Sequence, residues 1–225
     1  MRALLLLPLL VTPLPAMAQQ TDEQLWFQTN GSVELSGKDK LTLEAIGRFS
    51  DKANGFSHAE AGVLYTRKLS SGVELSFGYR HVADYDHGVA LPNEERLRQM
   101  VLVPLGSGFG IRLRSEQRFN SRGGAAGFRV RPRLGYELAL GDHGLKLFAT
   151  QEHFINLNTT AWGQRGGYER MRNAVGISIP LGGKLRGEVG YLNQYRFGRD
   201  GRRDQMDHAA TFTLNFNVAS LGHGD

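Results

Sequence analysis

Residues 111–119 read IRLRSEQRF, and residues 128–136 read FRVRPRLGY. In each, a charge stands at every second position: Arg112, Arg114, Glu116 and Arg118, then Arg129, Arg131 and Arg133. Between them lie Ile111, Leu113 and Phe119, then Phe128, Val130, Leu134 and Tyr136. A period of two belongs to a β-strand, whose successive side chains point to opposite faces. Each stretch is therefore a strand with one apolar and one cationic face. The fold depends on which of these faces points inward.

The same pattern runs outward in both directions. LTLEAIGRF (41–49) sets Leu41, Leu43, Ala45 and Phe49 against Glu44 and Arg48, and GVELSFGYRH (72–81) sets Val73, Leu75, Phe77 and Tyr79 against Glu74, Ser76 and Arg80. RMRNAVGISIPL (170–181), KLRGEVGYLNQYRF (184–197) and TFTLNFNV (211–218) behave alike. The weakest fit is 94–105, where Met100 and Leu102 fall on the charged face. Short turns rich in Gly, Asp and Ser occur at 36–40, 69–72, 104–108, 140–144 and 180–184. Longer polar connections at 50–55, 84–93, 120–127, 157–167 and 198–205 alternate with them, so all the long ones gather at one end. The strands between run to about ten to fourteen residues, longer than those of soluble sheets and suited to a tilted bilayer crossing.

The opening residues, MRALLLLPLLVTPLPAMA (1–18), show one charge, a leucine-rich run and an Ala16-Met17-Ala18 close. That is a signal peptide, expected to be cut near Ala18, and it is too short and Pro-broken to span a bilayer. Residues 19–225 then form a single domain. The chain has no cysteine, which excludes disulfide scaffolds, thiolate metal sites and Cys nucleophiles. Arginine supplies 21 of its 27 basic residues, a preference for a planar, bidentate cation that suits crowded interiors and anionic partners. These cations are spread along the chain and interleaved with acids, unlike the concentrated patch of a nucleic-acid reader.

Two architectures give this alternation. A soluble barrel turns its apolar face inward and binds an apolar ligand in the periplasm. An outer-membrane barrel turns that face to lipid and lines its lumen with charge. The signal peptide, the strand lengths and the aromatic residues near strand ends (Tyr79, Phe119, Phe128, Tyr168, Tyr195, Phe197) favour the membrane. The expected fold is an all-β, antiparallel transmembrane barrel with up-and-down connections, in the outer membrane of a Gram-negative bacterium. Parity, with both termini in the periplasm, gives ten strands from Leu41 to Val218. Residues 25–36 are then an extra segment in the lumen or across the rim, and twelve strands is the runner-up.

Assembled, the pieces resemble a bacterial family of uncharacterised outer-membrane barrels, domain of unknown function 2490. The resemblance rests on Trp26 soon after the leader, EAIGRF (44–49), EQRF (116–119), GYR (78–80) and the arginines of 129–133. EHFIN (152–156), GYLNQY (190–195) and DQMDH (204–208) match in order as well, over about residues 25–218. It implies the fold and the location, and no activity.

A lumen this narrow is filled by side chains. Its charges either interlock as an ion-pair network that holds the barrel shut or leave arginine free to bind a small anion. The candidate cluster is Arg112, Arg114, Glu116, Arg118, Arg129, Arg131, Arg133 and Glu152. The expected function is thus a structural or narrow anion-handling barrel, with a lipid-modifying enzyme as the alternative. For an enzyme, the candidates are Ser76, Ser115 and Ser178 on strands with His81, His153 and His208 near strand ends, and no nucleophile signature frames them. No catalytic residue, metal site or cofactor is assigned. Asp84, Asp86 and His87 lack the spacing of a calcium loop and read as a solvated turn. Arg199, Arg202 and Arg203 would face the phosphates of lipopolysaccharide. The expected partners are membrane lipid, lipopolysaccharide and a small anion, the chain acting as a monomer.

Overall fold

The computed structural model describes residues 20–35, 37–199 and 201–218; the expected leader, residues 1–18, lies outside them. Eleven long strands, each of 12–16 residues, carry the fold, together with one two-residue strand. In chain order they are β1 (Gln20–Glu34), β2 (Asp39–Ser50), β3 (Gly55–Lys68), β4 (Glu74–Asp86), β5 (Val89–Ala90) and β6 (Glu94–Gly106). Then follow β7 (Phe109–Asn120), β8 (Gly127–Leu140), β9 (Leu145–Asn156), β10 (Gly167–Gly182), β11 (Leu185–Arg196) and β12 (Gln205–Val218). Consecutive long strands pair antiparallel, and β1 lies beside β12 in parallel, closing an up-and-down barrel. The turns and long connections fall where the alternation put them, with one refinement. Strand β4 runs on to Asp86 and folds back through His87 and Gly88, both at positive φ, onto β5.

The strand count differs from the expected ten. Residues 25–34 are neither lumenal filler nor a rim segment; they run within β1, hydrogen-bonded to β2 on one side and β12 on the other. Parity gives ten when both termini lie at the end of the short turns. The eleven-strand ring instead closes through a parallel seam, Gln20 beside Gln205 and Val33 beside Val218, so β1 starts at the end of the long connections. The composition of β1 suits a wall position. Asp22 and Trp26 are buried within, while Leu25 and Phe27 are exposed outside. Gly31 lets the Phe216 ring cross it, since a Cβ there would sit 2.6 Å from that ring.

The polarity of the barrel is inverted relative to a soluble one. Leu43, Phe77, Leu113 and Val189 stand on the outer surface, 63, 54, 51 and 48% exposed. Buried apolar side chains are few among the described residues: Trp26, Ala53, Val82, Phe154, Leu192 and Ala209. The buried positions belong mainly to charged and polar groups, with Arg98, Gln194 and Asp207 wholly inaccessible. Strand ladders satisfy the backbone all round the ring, and the lumenal polar side chains must satisfy one another.

Candidate functional site

The arginine strands β7 and β8 are neighbours, and their register sets Arg112 beside Arg133 and Arg114 beside Arg131. Like charges directly opposite one another repel, so the arrangement needs acids between them. Two carboxylates supply most of that compensation. Arg131 donates through Nη1 to Glu116 Oε1 at 2.7 Å and through Nη2 to Glu152 Oε2 at 2.9 Å. Glu152 also accepts from Arg112. Glu116, 1% exposed, lies 3.6 Å from Arg114 and 3.7 Å from Arg129 as well.

Towards the long connections the pairing is dense. Arg118 grips Glu94 with two parallel bonds of 2.8 and 2.7 Å and gives a third, of 2.7 Å, to Gln164 from the 157–166 connection. Arg129 donates to Asn156 at 2.8 Å and to Glu169 at 2.6 Å. Glu60 holds Arg80, Arg48 and His58, and Glu44 holds Arg80 and Arg98. Two buried rings add to the neutralisation. Arg48 and Arg172 lie 3.9 and 4.7 Å from the Trp26 ring, and Arg131 and Arg172 lie 4.1 and 4.9 Å from that of Phe154.

Towards the short turns the pairing thins. Arg114 donates through Nε to the Met100 thioether at 3.1 Å, a weak acceptor, and its one carboxylate contact is the 3.6 Å approach to Glu116. Arg133 makes no hydrogen bond or ion pair with any described residue, and its buried Nε is unsatisfied, as are those of Arg112 and Arg131. These groups border a lumenal cavity of about 1040 Å³, lined by twelve arginines, one lysine and six carboxylates. Glu94, Glu116 and Asp207, buried around it, and the half-buried Glu169 reduce that cationic surplus without removing it.

The chain matches a protein family described as "Protein of unknown function (DUF2490)" over residues 23–206. It belongs to the DUF2490 family. An uncharacterised protein of Methylorubrum extorquens is similar over 184 residues at 34% identity, covering 77% of this chain and 78% of its own. In this DUF2490 chain, then, all eight residues singled out from the sequence meet in one lumenal cluster: Arg112, Arg114, Glu116, Arg118, Arg129, Arg131, Arg133 and Glu152. What the sequence reading missed are the partners. Glu169 is turned in with Arg170 by a bulge between Tyr168 and Arg170, which strict alternation hides. Glu94 begins its strand, and Gln164 comes from a loop. Trp26 and Phe154 could have been found, since each alternates with lumenal neighbours, Gln24 and Glu152.

The other candidates are engaged elsewhere. Ser115 donates to Gln99 at 2.6 Å on the outer face, Ser76 pairs with Thr66, and Ser178 accepts from Arg186. His81 contacts Glu95, while His153 and His208 meet Tyr168 and Tyr191. Among the described residues no serine touches a histidine. Asp84 is drawn to His58 at 2.5 Å while Asp86 meets His87, so the three groups of that turn do not converge. Arg199 is consumed in tying the carbonyls of Gly166 and Tyr168, leaving Arg202 and Arg203 exposed on the connection.

Proposed function

We propose that this protein is an outer-membrane barrel, reached after leader cleavage near Ala18, whose lumen binds a small anion. The membrane half is supported by the inverted polarity: a soluble barrel would have to solvate the apolar face that carries Leu43, Phe77 and Leu113. Lipid and the lipopolysaccharide phosphates near Arg202 and Arg203 are its surroundings, and a single chain closes the ring. The observation that carries the anion half is Arg133, a lumenal guanidinium that stands across from Glu152 yet makes no hydrogen bond or ion pair with any described residue, beside Arg112 and Arg114 at the wall of the cavity. A carboxylate or phosphate there would accept from the terminal guanidinium nitrogens of Arg133, which bond no described residue, where charge-assisted bonds are strongest.

Calorimetric titration of acetate and of inorganic phosphate into the protein in phosphatidylcholine nanodiscs tests this. Binding should be saturable and weakened at least tenfold in R133Q; no heat above that of empty nanodiscs would sink the anion half. Recovery of carbonate-extractable protein from the periplasm would sink the membrane half. The dense pairing around Glu116 and Glu94 favours a second reading, a purely structural barrel, and the same titration separates the two.

A further inference from the structure

Met100 and Leu102, the residues that break the charged alternation, face the lumen beside Arg114 and Arg112. Across the β6–β7 pair, Met100 stands next to Arg114 and Leu102 next to Arg112. On the other flank, β9 turns the Phe148 ring into the cavity. That ring leans over Gly176 and Gly190, where added Cβ atoms would come within 2.6 and 3.3 Å of it, so the wall beside it is flat and apolar. Between the flanks, directly below Arg112 and Arg133, the inward positions of β7 and β8 are Gly110 and Gly135, paired in register. Added Cβ atoms there would meet nothing nearer than 3.6 and 3.8 Å. Packing does not demand glycine at either position. The missing side chains leave a groove that starts at the cations and runs towards the short turns, with Met100 and Leu102 on one side, Thr150 and Phe148 on the other, and Glu137 at its far end on β8.

We infer that the lumenal ligand is an amphiphilic anion, a carboxylate or phosphate head on an unbranched alkyl chain. The head sits on Arg112, Arg114 and Arg133, and the chain lies over Gly110 and Gly135. A hydrophilic anion would leave the apolar flanks in water; an alkyl chain covers them. This rests on the anion-binding reading above and specifies its ligand.

The test titrates acetate, butanoate, hexanoate, octanoate and octyl phosphate into the protein in phosphatidylcholine nanodiscs, each referenced to empty nanodiscs. Affinity should rise roughly fourfold per methylene from acetate to octanoate. G135V, whose Cβ would meet nothing nearer than 3.8 Å, should abolish that rise and leave acetate binding intact, and M100T/L102T should flatten it. R133Q should weaken every acid by a similar factor. Whether octanoate or octyl phosphate binds more tightly tells a fatty-acid head from a lysolipid-type head. Equal binding of acetate and octanoate, or a chain-length rise that survives both G135V and M100T/L102T, overturns the amphiphile while leaving the anion site standing. If no acid binds at all, both readings fall. Heat-modifiable mobility on gels confirms that each variant still forms a barrel.

Discussion

The two ends of IRLRSEQRF are alike in sequence and unlike in surroundings. At one end Arg118 holds Glu94 and Gln164 with three bonds, and its neighbours Arg129 and Arg131 share Glu116, Glu152 and Glu169. At the other end Arg112 shares Glu152 with Arg131, Arg114 leans on a thioether and lies 3.6 Å from Glu116, and Arg133 makes no hydrogen bond or ion pair with any described residue. The residues facing each set explain the difference. Around Arg118 the adjacent strand supplies Glu94; around Arg112 and Arg133 the acid is Glu152, already bonded to Arg112 and Arg131, and the other neighbours are Met100, Leu102, Gly110 and Gly135. One set is built to be neutralised by the protein. In the other, Arg114 meets a thioether and Arg133 makes no hydrogen bond or ion pair with any described residue, although unsatisfied Nε groups occur in both halves.

Substitutions should therefore divide by location. The largest effect is expected for E116Q, which strips a fully buried carboxylate from among Arg114, Arg129 and Arg131. Uncompensated buried charge of that kind costs about 3–5 kcal/mol, read as a lowered urea midpoint for refolded protein in lipid vesicles. An unchanged midpoint would mean that the paired half is not a network. R118Q should cost less, about 2–3 kcal/mol, because Glu94 keeps Arg96 while losing its two-bond grip. R133Q should change stability by no more than about 1 kcal/mol, because the attraction of Glu152 across the β8–β9 pair and the repulsion of Arg112 across the β7–β8 pair oppose each other. If R133Q destabilised the barrel as much as E116Q, the contrast between the halves would fail.

The smallest expected effect checks the wall itself. Phe27 and Phe212 are register partners across the parallel seam, with rings stacked 5.5 Å apart on the outer face. In a chain without native cysteine, F27C/F212C should form a disulfide on oxidation with little change in stability. Absence of the crosslink would return residues 25–34 to the lumen or rim and remove Trp26 from its place between Arg48 and Arg172.

Much of this was legible in the chain. Alternation at Arg112–Arg118 and Arg129–Arg133 assigns the faces, because side-chain period in a strand is a local property of the backbone. The spacing of turns and long connections likewise gives the up-and-down order. Legibility stops where the decision is non-local. Whether β1 joins the wall depended on a seam between residues nearly two hundred positions apart, and a parallel seam leaves no mark on local alternation. The inward turn of Glu169 depended on one bulge.

By itself, then, the sequence determined a barrel of two-faced strands with arginine on one face, since composition and period act residue by residue. Only the tertiary structure decided how those arginines are compensated. Ion pairing depends on which strands meet and in what register, and that registration gave Arg118 its carboxylate and left Arg133 beside a groove.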